Sequence, residues 1–171
     1  MAQTTLISKT QIEERVAEMG RQISADFAGQ EVIACCVLKG AMFFCSDLVR
    51  QIDLDVALDF IQVSSYGDQK TSSGVVTILK EPQLDMRGKS VLIVEDIIDS
   101  GLSMREVNRY IGSRGASTVR TATLLDKPKA RKVDFQPDYV GFSIEPYFVI
   151  GYGLDYAEKY RNIPEIQVLS D

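Results

Sequence analysis

Near the middle of the chain the sequence reads Val91-Leu92-Ile93-Val94-Glu95-Asp96-Ile97-Ile98-Asp99-Ser100-Gly101-Leu102-Ser103. The segment opens with an unbroken apolar run, which predicts a buried strand of a parallel sheet. Two adjacent acids follow, and a short loop then carries a third acid, a glycine and two hydroxyls. A helix is predicted over 103–113, because Met104, Val107 and Ile111 recur on one helical face.

Strands and helices alternate on both sides of this segment. A helix face of Ile12, Val16, Met19 and Ile23 follows what has the form of a capping box at 10–13, and this helix is predicted to end near Gly29. A second helix is predicted over 42–52, and strands over 31–38, 57–63, 75–79, 90–94, 119–125, 139–143 and 166–169. The alternation predicts an α/β fold with a mainly parallel, twisted sheet flanked by helices, as a single domain over 1–171.

Composition limits the classes of function. The chain has 171 residues and a net charge of −5, so it lacks the basic surplus typical of non-specific nucleic-acid binding, and we predict no nucleic-acid partner. It contains no histidine, which excludes His-based nucleophilic and zinc sites. Neither a signal peptide nor a membrane span is evident, so a cytoplasmic protein without a membrane partner is expected. Cys35, Cys36 and Cys45 are interpreted as small core residues in a reducing compartment.

The acid-rich segment predicts a ligand site. Ligands of open α/β sheets bind at the carboxyl ends of the strands, and a helix N-terminus suits a phosphate. Ser100 and Ser103 add hydroxyl donors, and Gly101 lets the backbone approach a ligand. Carboxylates beside a phosphate need a cation between them, so Glu95 and Asp96 indicate Mg²⁺ or a sugar diol.

The acid-rich segment also has interpretations other than this ligand site. Residues 103–106 themselves have the form of a capping box, and acids before a helix are common. The segment is neither a Walker A loop nor a dinucleotide fingerprint. A response-regulator receiver also uses an acid cluster, but would place its acid pair after the first strand.

Residues 91–103 resemble the phosphoribosyl pyrophosphate (PRPP) signature of type I phosphoribosyltransferases. Further segments match in the same order and resemble the hypoxanthine branch of that family: Leu38-Lys39-Gly40, Ser64-Ser65-Tyr66-Gly67, Leu124-Leu125-Asp126-Lys127-Pro128, and Val140-Gly141-Phe142 onward to Arg161. The resemblance extends over nearly the whole chain. It implies the type I phosphoribosyltransferase fold, with a small hood formed by the chain ends, to which 143–171 contribute.

The resemblance assigns roles around PRPP. Glu95 and Asp96 are expected to hold the ribose hydroxyls with Mg²⁺ nearby, and Asp99 to be the general base or acid at N7 of the purine. The 5′-phosphate is expected in the cradle formed by Asp99, Ser100, Gly101, Leu102 and Ser103. Leu102 departs from the Lys or Asn frequent there, so weaker side-chain help is expected without loss of function.

The remaining roles concern pyrophosphate and the base. Lys39 and Gly40 resemble the family's pyrophosphate loop, in which the Leu-Lys peptide can be cis, and Arg161 is expected to contact pyrophosphate. Lys127 is expected to donate to O6 of the base, Phe148 to stack on it, and the Val149 backbone to read its edge. These residues are expected to form the base site with Asp155, which matches a ligand of a second Mg²⁺.

Two further regions, 145–147 and 64–74, bear on base preference and on closure of the site. Residues 145–147 depart from the acidic turn common before the stacking phenylalanine, which leaves fine base preference open. The polar segment 64–74, rich in Gly and Ser, predicts a mobile loop or a long hairpin tip. The resemblance implies that this segment is a lid, with Ser65 and Tyr66 at its centre, that excludes water from the reacting centre.

The resemblance therefore implies an enzyme that joins hypoxanthine or guanine to PRPP with Mg²⁺, as a homodimer or homotetramer. Two alternatives stay open. A uracil-linked relative of the same fold acts as an RNA-binding regulator, although the acidic charge, Lys127 and Phe148 count against it. A catalytically silent nucleotide-binding module is the other, against which Asp99, Lys127 and Arg161 count.

Overall fold

A computed structural model of the protein describes residues 2–65 and 76–170. The elements are β1 (Ala2–Ile7), α1 (Lys9–Asp26), β2 (Val32–Leu38), α2 (Met42–Val49), β3 (Val56–Ser65), β4 (Val76–Lys80), β5 (Ser90–Ile98), α3 (Leu102–Ser113), β6 (Thr118–Asp126), β7 (Tyr139–Ser143), β8 (Val149–Ile150) and β9 (Ile166–Ser170). A short 3-10 turn, Pro128–Ala130, follows β6.

The main sheet has six strands in the order β4-β3-β2-β5-β6-β7. All its neighbouring pairs are parallel except β3 and β4. This confirms the predicted α/β fold with a mainly parallel sheet. The crossover from β2 through α2 to β3, and the placement of β5 beside β2, put the carboxyl ends of β2, β5 and β6 at one edge.

Successive side chains of β5 point to opposite faces of the sheet, so this strand packs against the helices on both faces. Leu92 and Val94 pack in the same cluster as the buried faces of α1 and α2. Val91 and Ile93 pack with α3 on the other face. Such a strand reads as a continuous apolar run because both of its faces are buried.

The cysteines follow the same alternation. Cys36 packs toward α1 and α2, with Cys45 of α2 in that cluster, whereas Cys35 packs on the α3 side. All three are free and buried, as expected for core residues.

A second sheet joins the two ends of the chain. Its order is β1-β9-β8, and both pairs are antiparallel. Ile7, Val149 and Ile166 belong to the same apolar cluster as α1 and α2, so this sheet is packed onto the main core. We call it, with the loop 151–165, the hood.

Several predicted boundaries were wrong. The N-cap of α1 is Ser8, two residues before Thr10 of the predicted box, and Ser8 forms the capping box with Gln11. Helix α3 is preceded by Gly101 in the left-handed conformation, and Ser103 lies inside the helix, so 103–106 is not its capping box. Helix α2 ends at Val49 rather than 52. The strands β1 and β8 were not predicted.

Candidate active site

The acid pair lies on the strand itself rather than in the loop after it. β5 continues to Ile98, so Glu95 and Asp96 are strand residues and Asp99 is the first residue beyond them. The Asp96 N–H donates to Glu95 Oε1 at 2.9 Å, and the Ile97 N–H donates to Asp96 Oδ1 at 2.9 Å. These bonds fix both carboxylates at the carboxyl edge of the sheet.

Glu95 is only 8% exposed. Burial raises the pKa of Glu95 well above its ordinary value, and the negative charge of Asp96 beside it adds to the effect. Two neighbouring carboxylates of which one is buried favour the approach of a cation, because a positive charge relieves both the desolvation and the repulsion.

A metal held here would need ligands besides protein carboxylates. Within residues 2–65 and 76–170, no group of three or more Cys, Asp or Glu is placed to hold a metal ion together. Glu95, Asp96 and Asp155 therefore do not form one cage. Mg²⁺ usually keeps several waters and binds one or two carboxylates together with substrate phosphates, so the acid pair fits this ion.

The turn from β5 into α3 has the shape of an anion cradle. Gly101 has φ 80° and precedes the helix, and a Cβ there would lie 2.8 Å from Cδ of Arg131. The Leu102 N–H donates to Ser100 Oγ at 3.3 Å. The first N–H groups of α3 point out of the helix toward this turn, which suits a phosphate.

Asp99 and Lys127 meet across the ends of β5 and β6. Lys127 Nζ lies 3.0 Å from Asp99 Oδ1, with the lysine side chain 10% exposed and that of Asp99 56% exposed. The Lys127 N–H also donates to the Ile98 carbonyl at 2.9 Å. Sequence reasoning placed both residues at the base, and the structure brings them together.

Arg131 is a residue that sequence reasoning missed. One guanidinium nitrogen donates to the Asp99 carbonyl at 2.8 Å, and another pairs with the buried carboxylate of Asp126. Arg131 thereby ties the backbone that carries Asp99 to the end of β6. A lone arginine in a basic stretch after a proline carries no sequence signal for such a role.

The loop after β2 touches the acid pair. The Leu38–Lys39 peptide is cis. A Cβ on Gly40 would lie 1.9 Å from Asp96 Oδ2, and a Cβ on Gly153 would lie 2.0 Å from the Gly40 carbonyl oxygen. Gly40 therefore packs against a carboxylate and Gly153 against the Gly40 backbone, and only glycine fits at the two contacts.

Arg161 and Asp155 face each other in the hood. Arg161 donates to the Gly153 carbonyl at 2.7 Å, and the same side chain lies 3.0 Å from Asp155 Oδ1. Glu158, which was not predicted, accepts from Arg161 at 3.2 Å and from Lys39 Nζ at 3.1 Å. The hydrogen bond from Lys39 and the charge of Arg161 lower the pKa of Glu158.

The aromatic part of the predicted base site is open. Phe148 is 52% exposed, whereas Val149 is buried in β8. The Phe148 ring meets Tyr156 edge to face, with centroids 5.7 Å apart. About half of the Phe148 residue is thus accessible to a ligand. Tyr156 ends the 147–156 segment that resembles the family's base pocket, but sequence reasoning assigned it no role of its own.

Most of the predicted lid, residues 64–74, lies outside the residues that the structure describes. Ser65 is the last residue of β3, and Tyr66 lies outside the described residues with 67–75. The prediction for this segment stays a prediction.

Among the described residues, every helix is too short or too polar to cross a membrane.

Comparison with known proteins agrees with this geometry. The family model for the phosphoribosyl transferase domain matches residues 3–157. The hypoxanthine-guanine phosphoribosyltransferase of Bacillus subtilis is 45% identical over 96% of this chain and 91% of its own length. A crystal structure of a hypoxanthine-guanine phosphoribosyltransferase from Bacillus anthracis superimposes with a TM-score of 0.94, at 46% identity and 98% coverage of both chains.

The bifunctional TilS/HprT protein of Listeria innocua is 46% identical over 98% of this chain, which spans only 26% of that longer protein. The family model, the near full-length relatives and the fold all agree. This chain belongs to the phosphoribosyltransferase family, in its hypoxanthine-guanine branch.

Proposed function

We propose that this protein is a purine salvage enzyme that transfers the 5-phosphoribosyl group of PRPP to N9 of hypoxanthine or guanine. The products are inosine or guanosine 5′-monophosphate and pyrophosphate. The observation that carries the proposal is the pairing of Lys127 Nζ with Asp99 Oδ1 at 3.0 Å. One fixed donor and one adjacent carboxylate match the O6 and N7 edge of a 6-oxopurine.

The chemistry of that edge explains the choice of base. In a 6-oxopurine O6 accepts a hydrogen bond beside N7, whereas adenine carries an amino donor at this position. Lys127 is mostly buried and has only donors, so adenine would leave an ammonium facing an amino group. A site built to bond one polar group can reject the analogue that lacks it by several orders of magnitude.

Phe148 and Val149 complete the base site in this proposal. The exposed Phe148 ring offers a stacking face, and the buried Val149 fixes the strand whose backbone reads the far edge of the base. The Leu169 N–H holds the Phe148 carbonyl at 3.0 Å, so β9 supports this segment.

The ribose and phosphate are held by the β5–α3 turn. Glu95 and Asp96 accept the ribose hydroxyls, while backbone N–H groups of residues 99–103 bind the 5′-phosphate, with help from the Ser100 and Ser103 hydroxyls. Glycine suits position 101 because it adopts φ 80° without strain, and because a Cβ there would lie 2.8 Å from Cδ of Arg131.

Mg²⁺ is the proposed cofactor, held by Glu95 and Asp96 and, at a second position, by Asp155. When bound, it neutralises charge on the pyrophosphate leaving group. Lys39, the Gly40 backbone and Arg161 add protein contacts to the same group.

The proposed reaction forms the N9–C1′ bond as the bond from C1′ to the pyrophosphate oxygen breaks. The electron pair of the broken bond leaves with pyrophosphate, and the proton at N7 of the base passes to Asp99. Proton management of this kind contributes about 10²–10⁴ in rate. Arg131 holds the Asp99 carbonyl and so keeps the carboxylate facing the base.

The test follows pyrophosphate release from PRPP and Mg²⁺ with hypoxanthine, guanine, xanthine, adenine and uracil. We expect turnover of 6-oxopurines alone, and a loss of about 10²-fold or more in kcat for Asp99→Asn. Turnover of uracil alone, or of no base, would overturn the proposal. Uracil turnover or salt-dependent RNA binding would favour the regulator alternative.

Two further features belong to the proposal. We expect a cytoplasmic enzyme, since its three cysteines are free and buried. We also expect a homodimer or homotetramer, which light scattering of the purified protein tests directly.

A further inference from the structure

Glu158 lies between the two cations that the proposed function assigns to pyrophosphate. Its Oε2 is 3.1 Å from Lys39 Nζ, and its Oε1 is 3.2 Å from a guanidinium nitrogen of Arg161. Lys39 belongs to the loop after β2 and Arg161 to the hood, so a single carboxylate bridges two segments distant in sequence.

The backbone around Glu158 is held in an unusual conformation. Ala157, Glu158 and Tyr160 all have positive φ, at 52°, 62° and 75°. Non-glycine residues rarely adopt this region, and they persist there when the surroundings fix them. The Glu158 N–H donates to Asp155 Oδ2 at 2.9 Å, and Tyr156 and Lys159 exchange two backbone bonds of 3.1 Å. The turn therefore points the Glu158 side chain at Lys39.

The contacts of Glu158 with Lys39 and Arg161 contribute little to the free energy of folding. The Glu158 side chain is 66% exposed and that of Lys39 59% exposed. Ion pairs with this exposure contribute little to folding. The same charge has a larger consequence for an anionic ligand, because Glu158 engages the Lys39 ammonium that a phosphoryl oxygen would otherwise take, and shares an Arg161 nitrogen with Asp155.

We infer that Glu158 is an internal competitor for the pyrophosphate subsite. Its carboxylate occupies the Lys39 and Arg161 donors in the free enzyme and is displaced when the pyrophosphate group of PRPP, or the product, binds. Glu158 thus lowers the affinity of this subsite for pyrophosphate and leaves the affinity of the base subsite unchanged. The inference rests on the proposed function, which assigns Lys39 and Arg161 to pyrophosphate.

The test measures the affinity of inorganic pyrophosphate, with Mg²⁺, by calorimetry of the purified enzyme, and KM for PRPP and for hypoxanthine. In Glu158→Gln we expect pyrophosphate to bind about two- to ten-fold more tightly, as loss of exposed charge pairs allows. KM for PRPP falls in the same direction, and KM for hypoxanthine stays unchanged. A uniform change in all three constants would indicate a structural effect and overturn the inference.

A matched control is Glu31→Gln. Glu31 also forms an exposed pair with a lysine, Lys89, and its loss changes the net charge equally. It precedes β2 at the amino end of the strands, opposite the site, so pyrophosphate affinity should equal that of the wild type. An equal gain in both variants would attribute the effect to net charge and overturn the inference.

A double variant tests whether Glu158 affects pyrophosphate binding through Lys39. In a Lys39→Gln background, Glu158→Gln should improve pyrophosphate binding less, because one of the two donors that Glu158 occupies is gone. Unchanged or weaker pyrophosphate binding in Glu158→Gln overturns the inference while the transferase activity stands. A wild-type protein that neither binds pyrophosphate nor turns over any base instead overturns the proposed function.

Discussion

Replacing Gly40 by alanine tests whether activity depends on the contact between the proposed pyrophosphate loop and the acid pair. The new Cβ would lie 1.9 Å from Asp96 Oδ2 and 2.7 Å from its Cγ, whereas real Cβ contacts essentially never fall below 3.0 Å. The carboxylate or the loop must therefore shift by about 1 Å. The loop is confined on its other side by Gly153, which packs against the Gly40 carbonyl.

The cost follows from what the shift disturbs. Overpacking of this kind costs about 1–3 kcal/mol of folding free energy. Asp96 is further held by the Ile97 N–H at 2.9 Å, so the carboxylate moves only by weakening that bond. A misplacement of about 1 Å at a substrate-positioning group can cost about 10²-fold in rate. We expect kcat/KM for PRPP in Gly40→Ala to fall by about that factor.

The assay compares kcat/KM for PRPP with the free energy of unfolding in urea. The control is Gly112→Ala on the exposed side of α3, where a Cβ meets no atom within 4 Å among the described residues. Helical alanine is favoured over glycine by about 0.5–1 kcal/mol, so this control should be stabilised and fully active. Wild-type kcat/KM for PRPP in a folded Gly40→Ala enzyme would refute the reasoning.

Three further predictions follow from single contacts. Lys127→Met should lower kcat/KM for 6-oxopurines about 10–100-fold, because that factor corresponds to the loss of one charge-assisted hydrogen bond. The ratio of kcat/KM for hypoxanthine to kcat/KM for adenine should fall as well, and an unchanged ratio would contradict the prediction. Burial and the bond to Asp26 raise the pKa of Tyr139 from 10.0 to about 12. The folded chain keeps this proton where the unfolded chain loses it, so unfolding free energy should decline between those pH values, and less steeply in Tyr139→Phe; equal slopes would argue against it. The buried cysteines, Cys35, Cys36 and Cys45, should resist a chromogenic thiol reagent until guanidinium unfolds the protein, and rapid native labelling would count against this packing.

The elements that sequence predicted well are those whose signal is local. The face of α1 at Ile12, Val16, Met19 and Ile23 is buried as its spacing indicates. The apolar runs of β2 and β5 are central strands. Periodicity succeeds here because burial against a neighbouring layer is what imposes it.

The elements that were missed depend on partners elsewhere in the chain. β1 carries a polar sequence and exists through its antiparallel pairing with β9, at the opposite end of the chain. β8 is only two residues long and pairs with the same strand. The true cap of α1 at Ser8 and the capping box predicted at 10–13 differ by two residues, and local pattern alone did not separate them.

The candidate site shows the same division. The acid pair and the turn after it lie in one continuous segment, so sequence predicted their grouping. The pairing of Asp99 with Lys127 required the parallel register of β5 and β6, in which Ile98 lies opposite Asp126. Arg131 reaches the Asp99 carbonyl and Glu158 reaches Lys39, both far away along the chain, and nothing in their local sequence distinguishes them from solvated charges.

Contacts from the hood position the loop after β2, which we propose binds pyrophosphate. The Tyr152 hydroxyl donates to Asp47 of α2 at 2.5 Å, and Gly153 packs against the carbonyl of Gly40 just before that helix. The hood is thus fastened to both the loop and the helix that follows it. Since Arg161 also donates to the Gly153 carbonyl, its distance from Lys39 is set by the same contacts. A change at Gly153 should therefore disturb pyrophosphate binding before it disturbs the base subsite, because it acts on both cations of that subsite at once.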